Sequence, residues 1–276
     1  MEAPRTRFGR GYLDQQYAQS DNLRVRYETH ARYSEQKSSF RSWVMPYLGI
    51  APGDLVCDAG CGPGAYHEAI AAYDGRVVAF DLSAGMATEA REHARSLSLD
   101  ARIVRASAMR IPLRDGACDR VLAAHMLYYM PDIAGALREM RRVLRPGGRI
   151  TITANMKTPS RFDEVEREAG DALGMATLTE NSAQRFSMDD LDLVRSVFPA
   201  AERHVREDAL VFPAAEPAMR YWMSFAPDQV RGDPAREDAL PVLAAKMHAV
   251  IDAIIGREGA FRVPKGGGCF VAEAPR

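Results

Sequence analysis

Short apolar runs alternate with longer stretches of helical period through the middle of the chain. Leu55-Val56-Cys57, Val77-Val78-Ala79-Phe80, Ile103-Val104, Val121-Leu122-Ala123-Ala124 and Ile150-Thr151-Ile152 are such runs. Such runs, with little polar alternation, are what a sheet buried on both faces requires. Between them Ala65 to Tyr73, Ser83 to about Leu97 and Asp132 to Leu144 repeat apolar residues at helical spacing. In the last, Ile133, Leu137, Met140 and Leu144 share one face and arginines the other. Strand and helix in alternation predict an α/β fold, a mostly parallel sheet with helices on both faces.

The flanks add helices. Tyr12 to Tyr33 carries Tyr12, Leu13, Tyr17, Leu23, Tyr27 and Tyr33 at helix-compatible intervals, read either as an amphipathic helix packed on the sheet or as a lid. Residues 1 to 11 form a basic lead-in, and Ser38 to Leu48 places Phe40, Trp43, Val44 and Tyr47 on one face. After the fifth strand, helices are expected over Arg161 to Leu173 and Ser187 to Phe198, then a strand over His204 to Phe212. Residues 213–259 form a helical insertion with an aromatic and thioether cluster (Met219, Tyr221, Trp222, Met223, Phe225), and Phe261 to Ala272 reads as a glycine turn (Gly266 to Gly268) into the last strand. The expected organisation is a cap over 1–49, a core over 50–212 and 260–276, and a lid over 213–259 that packs against the N-terminal helices.

Composition narrows the partners more than the fold. The 276 residues hold 36 Lys plus Arg against 37 Asp plus Glu, a net charge of -1, so nothing general draws the chain to polyanions. The basic stripe Arg138, Arg141, Arg142, Arg145 is interrupted by Glu139 and reads as a solvated helix face. Cys57, Cys61, Cys118 and Cys269 show no metal-ligand spacing, which suits a reduced, cytoplasmic protein with no bound metal. No signal peptide and no apolar run of membrane-spanning length is expected. The pair His67-Glu68 lacks a second histidine at zinc-site spacing and is expected to face solvent.

The chemistry is carried by Cys57-Asp58-Ala59-Gly60-Cys61-Gly62-Pro63-Gly64, a strand ending in an acid that turns through glycines into a helix. Glycines there let backbone approach a ligand, and the helix N-terminus offers amides to an anionic group. A second strand ends at Asp81, about twenty residues on, where a carboxylate can accept hydrogen bonds from a ribose diol. Together these residues resemble the first motifs of class I S-adenosylmethionine-dependent methyltransferases. Nicotinamide-binding folds instead spell the turn GxGxxG without the preceding acid. Ser107-Ala108-Met109 through Pro112 resembles the family's adenine-side loop, and Leu144 to Ile150 its turn before the fifth strand. Asn22 to Ser34, then Trp43, resembles the capping segment of bacterial small-molecule members.

The resemblance implies a Rossmann-like seven-stranded sheet with S-adenosyl-L-methionine as cofactor and S-adenosyl-L-homocysteine as product. It places Asp58, Gly60, Gly62, Gly64, Asp81, Leu82, Met86, Ser107, Ala108, Met109, Ala124 and His125 at the cofactor. The acid often found at or beside position 107 is absent, and Asp119 matches an acid expected to be structural. His125, Tyr128 and Tyr129 follow the fourth strand, where ligands of open sheets sit. His125 is read either as general base or as packing beside the cofactor, with Tyr128 and His30 as further candidates. A small organic methyl acceptor, giving up O, N or C as nucleophile, is the expected substrate. The alternatives are a nucleic-acid acceptor, against which the sequence after the fourth strand lacks the Asp/Asn-Pro-Pro-aromatic motif, and a non-catalytic cofactor-binding partner. A nicotinamide oxidoreductase is the alternative at the level of fold.

Overall fold

The computed structural model describes residues 21–175, 185–231 and 233–275. The basic lead-in and Tyr12, Leu13 and Tyr17 lie outside the described residues. Strands β1 (Leu55–Ala59), β2 (Arg76–Asp81), β3 (Ala101–Arg105), β4 (Cys118–Ala124), β5 (Leu144–Asn155), β6 (Glu202–Phe212) and β7 (Phe261–Glu273) form one sheet in the order β3-β2-β1-β4-β5-β7-β6. The first five are parallel, and β7 runs antiparallel between β5 and β6. Strand order reverses beside β1, between β1 and β4. That crevice, at the carboxyl ends of the strands, is where an open α/β sheet receives its ligand.

Helices α1 (Asp21–Tyr33) and α2 (Phe40–Leu48) precede the sheet; α3 (His67–Ala72), α4 (Ala84–Ser96) and α5 (Ile133–Val143) connect its parallel strands. The expected local signals act. Ser83 caps α4 by accepting from Met86 N–H, Asp132 caps α5 by accepting from Gly135 N–H, and Ser39 caps α2. The buried strand residues Val56, Cys57, Phe80, Val121, Leu122, Ile150 and Ile152 form a core covered by helices on both faces. Asp119 is structural: its carboxylate accepts from Leu55 N–H at 2.6 Å and pairs with Arg145 at 2.9 Å.

The arginine stripe of α5 is tied down locally. Arg142 bonds Glu139 and Asp115, Arg138 pairs with Asp132, and Arg141 donates to the Val197 carbonyl. With Arg145 on Asp119, three of the four arginines are paired with carboxylates, and Arg141, on a neutral carbonyl, keeps its charge.

Beyond β5 lie α6 (Arg161–Leu173), α7 (Leu191–Arg195), α8 (Ala215–Met223), α9 (Ala226–Val230) and α10 (Pro234–Glu258). The helix expected from Ser187 starts later, because Ser187 donates its N–H and hydroxyl to Asp190 Oδ2 at 2.7 and 3.1 Å and closes a turn instead. Strands β6 and β7 pair from Glu202↔Val271 to Phe212↔Phe261, so α8 to α10 form the connection of one long hairpin. That connection folds back onto α1, where Arg26 bonds Ser224 and Arg220 pairs with Glu28 at 3.0 Å.

Contrary to expectation, one helix, α10, is long and apolar enough to cross a membrane. Its buried residues Leu240, Leu243, Met247, Ile251 and Ile254 recur at helical period, and it packs on α6 and α8. That is the pattern of a helix that buries one face on its neighbours.

Candidate active site

β1 delivers the chain into the glycine turn, and β2 holds it. The N–H groups of Gly60 and Cys61 both donate to the Phe80 carbonyl at 2.7 and 3.0 Å, curling the turn around the end of β2. Gly60, Gly62 and Gly64 have φ of +72°, +54° and +83°, a region that only glycine enters cheaply. A Cβ on Gly62 would meet nothing within 4 Å, and the space before it is the cavity.

That cavity is about 900 Å³, at the upper end of the range for small-ligand sites. Of the residues expected from the sequence, Asp58, Gly60, Gly62, Asp81, Leu82, Met86, Ser107, Ala108, Ala124, His125, Tyr128 and His30 line it. Gly64 and Met109 do not. Gly64 backs onto the His67 ring, and the Met109 methyl lies over Gly135 of α5.

Asp81 stands at the mouth of the turn. Its Oδ2 accepts from Gly62 N–H at 2.9 Å and its Oδ1 from Ser83 N–H at 2.8 Å, which fixes the carboxylate and leaves lone pairs free toward the cavity. Burial raises its pKa against those hydrogen bonds, and the nearby Asp58 adds to the rise. The Asp58 carboxylate is 1% exposed and accepts no hydrogen bond among the described residues. A buried acid without donors calls for a cationic or donating ligand. Ser107 accepts from Met109 N–H at 3.2 Å, so its hydroxyl shapes the loop at the end of β3.

These features fit S-adenosylmethionine.

His67, expected on a solvent face, is fully buried. Its Nε2 lies 3.6 Å from Asp58 Oδ2, and both residues sit behind the glycine turn. The short α3 turns this side inward because Gly64 leaves room for the ring. A histidine three residues beyond the last glycine of such a turn was the available signal.

His125 follows β4 with φ +52°, a left-handed conformation costly for a non-glycine residue. Its N–H is shared between the Thr153 carbonyl and hydroxyl at 3.2 and 3.1 Å, and its ring lies 5.3 Å from Phe40. Burial, then the charge of Lys265, lowers its pKa to about 4. His30 reaches the same cavity from α1, and burial followed by Lys265 lowers it to about 3. Both imidazoles are therefore neutral at physiological pH.

Lys265 on β7 and Asp208 on β6 form an ion pair at 2.7 Å on this wall. Neither stood out in the sequence. Each lies on a strand with no motif around it, and only the β6–β7 register, Asp208↔Lys265, brings them together.

The model of a methyltransferase domain matches residues 57–152, from β1 into β5. The 27-O-demethylrifamycin SV methyltransferase of Amycolatopsis mediterranei (strain S699) is 28% identical over 92% of this chain and 90% of its own length. Methyltransferase GfsG of Streptomyces halstedii is 36% identical over 43% of each chain. An uncharacterised 37.1 kDa protein in transposon TN4556 of Streptomyces fradiae is 33% identical over 46% of this chain. The chain spans only 38% of the TN4556 protein and 43% of GfsG. Among solved structures, the [4+2]-cyclase SpnF superposes with a TM-score of 0.58 at 19% identity over 99% of this chain and 98% of SpnF, a likeness of fold. The matched segment, the strand order and the acid-flanked glycine turn give residues 57–152 the form of a class I S-adenosylmethionine-dependent methyltransferase domain.

Proposed function

We propose that this protein transfers a methyl group from S-adenosyl-L-methionine to a small organic acceptor in secondary metabolism, releasing S-adenosyl-L-homocysteine. The observation that carries the reading is the placement of Asp58 and Asp81 at the ends of adjacent strands with the glycine turn between them. They open into a cavity whose opposite wall is built from α1, α8 and the β6–β7 hairpin. The bound sulfonium supplies an electrophilic methyl carbon. What the protein adds is position and dryness, and orientation alone is worth roughly 7–11 kcal/mol in favourable cases.

In this reading Asp81 grips the ribose, Gly60 and Gly62 let the ligand approach the backbone, and Leu82, Met86 and Ala108 flank the base. Asp58, braced by His67, faces the amino end. Met109, away from the cavity, supports the loop from behind. The Phe40, Tyr128 and Tyr221 rings exclude water, and His125, held by Thr153, lies at the border between cofactor and acceptor. Segment 21–49 acts as cap and 213–259 as substrate lid on a core of 50–212 and 260–275.

The tied-down arginines of α5 support a small-molecule acceptor over nucleic acid. The four free, buried cysteines support a cytoplasmic location. The test is turnover with labelled cofactor against a panel of phenols, amines and β-dicarbonyl compounds. Label transfer to one class is the expected result, and cofactor binding with no transfer to any of them would favour a non-catalytic role.

A further inference from the structure

The wall opposite the glycine turn is polar and basic in an ordered way. Lys265 Nζ lies 2.7 Å from Asp208 Oδ2, 3.0 Å from Ser34 Oγ and 3.0 Å from His30 Nδ1. An ammonium has three N–H groups and no lone pair, so these contacts use all of its donors. His30 Nδ1 must then accept, which puts the ring hydrogen on Nε2. That nitrogen has no hydrogen-bond partner among the described residues, and His30 lines the cavity. The ring is held edge-on to Tyr221, with centroids 5.7 Å apart.

The charges around it are lopsided. Arg26 donates to the Ser224 carbonyl and hydroxyl, and Arg206 to the Ser38 and Ser39 carbonyls, so both cavity-lining guanidinium groups are anchored on neutral oxygens. Four acids line the cavity: Asp208 is paired with Lys265, Asp163 accepts from the Ser160 N–H in the capping box of α6, and Asp58 and Asp81 stand at the ends of β1 and β2, away from the strands and helix that surround His30. An anion is favoured there.

We propose that this wall binds the acceptor through an acidic hydroxyl, that of a phenol or an enol, held as its oxyanion. His30 Nε2–H is the donor to that oxygen, and Lys265 is the positioning residue that fixes His30 in this tautomer. This rests on the methyl-transfer reading and names its substrate class. His30 serves here as a donor, since its Nδ1 lone pair is already engaged. The hydroxyl proton leaves to solvent on binding. An oxygen lone pair then forms the O–C bond as the C–S bond breaks, the electron pair stays on sulfur, and a methyl ether and a neutral thioether result. With Lys265, Asp208 and Arg26 the charged groups that act on His30 and His125 neutral beside it, the oxyanion is stabilised by a pre-set field.

The test uses 4-nitrophenol, whose phenolate is coloured, titrated with the full chain saturated with S-adenosylhomocysteine. The expected result is an ionisation equilibrium shifted at least tenfold toward phenolate in the bound state, with most of that shift lost in Lys265→Met and partly restored in Lys265→Arg. Nitrogen-15 NMR of labelled histidine in the wild type is expected to show His30 as the Nε2–H tautomer, a readout that needs neither turnover nor a folded variant. A bound phenol ionising as it does free, no binding of 4-nitrophenol to the loaded protein, a shift unchanged in Lys265→Met, or an Nδ1–H tautomer at His30 would each overturn the proposal. Failure of S-adenosylhomocysteine itself to bind, read by calorimetry, counts instead against the proposed function.

Discussion

Replacing His67 with leucine tests whether the buried pair beneath the glycine turn holds the site together. His67 is 0% and Asp58 1% exposed, with 3.6 Å between Nε2 and Oδ2, and neither side chain has a hydrogen-bond partner among the described residues. Leucine fills much of the ring volume, so the main loss is electrostatic. Removing one partner of a buried pair costs about 3–5 kcal/mol. Because the 3.6 Å separation is longer than a hydrogen bond, the low end applies. At about 2–4 °C per kcal/mol for a chain of this size class, the melting temperature should fall by roughly 6–12 °C.

Thermal unfolding of the ligand-free protein, followed by circular dichroism, measures this. The companion variants Asp58→Asn and the double replacement complete a cycle, for which two groups in contact should give a coupling of about 1–3 kcal/mol. Since Asp58 is assigned to the amino end of the ligand, S-adenosylhomocysteine should raise the melting point of His67→Leu at least as much as that of wild type. Additivity within about 0.5 kcal/mol, or an unchanged melting point in His67→Leu, would refute the idea that His67 braces Asp58.

Three further outcomes are expected. Asp81→Asn keeps the shape but loses the charge on two hydrogen bonds, so cofactor affinity should drop by about 1.5–3 kcal/mol, roughly 10- to 150-fold, by calorimetry. Because burial raises the Asp81 pKa, wild-type affinity should also fall as pH drops through a value above the ordinary aspartate range. Gly62→Ala places a methyl at φ +54° with open space before it, so it should cost only about 1 kcal/mol of stability while weakening cofactor binding at least tenfold, measured by melting and titration in parallel. Glu139 is held below its ordinary pKa by hydrogen bonds from Arg142, opposed by burial and aided by the Ile111 N–H. Its stabilising contribution is therefore complete above the ordinary glutamate range and lost as pH falls through the lowered value, so Glu139→Gln should narrow the stability gap to wild type in acid-unfolding curves below about pH 4.

The parallel half of the fold was legible because its signals are local. Each buried strand carries an apolar run, the connecting helices α4 and α5 have their caps, and the glycine turn with Asp81 announces a ligand edge. The first four strands and the sixth fell within about two residues of expectation, whereas β5 and β7 run through the glycines expected to be turns, Gly147-Gly148 and Gly266 to Gly268. The misses share a cause: they depend on partners distant in the chain. His67 looks polar and exposed until Gly64 is seen to leave room for its ring. Asp208 and Lys265 become a pair only through the antiparallel register of β6 and β7. Ser187 has the identity of a helix cap, yet Asp190 diverts its hydroxyl into a turn. The stretch of α10 reads as an ordinary insertion helix, although its length and apolarity match a membrane span, because the folded chain supplies the α6 and α8 surfaces that cover one side.

Calorimetric titration of the intact protein with S-adenosylmethionine, S-adenosylhomocysteine and NAD tests the central assignment most directly. Saturable one-to-one heats with both sulfur compounds and none with NAD are expected, the former strongly reduced in Asp81→Ala. Silence with both sulfur compounds, or binding of NAD in their place, would contradict it.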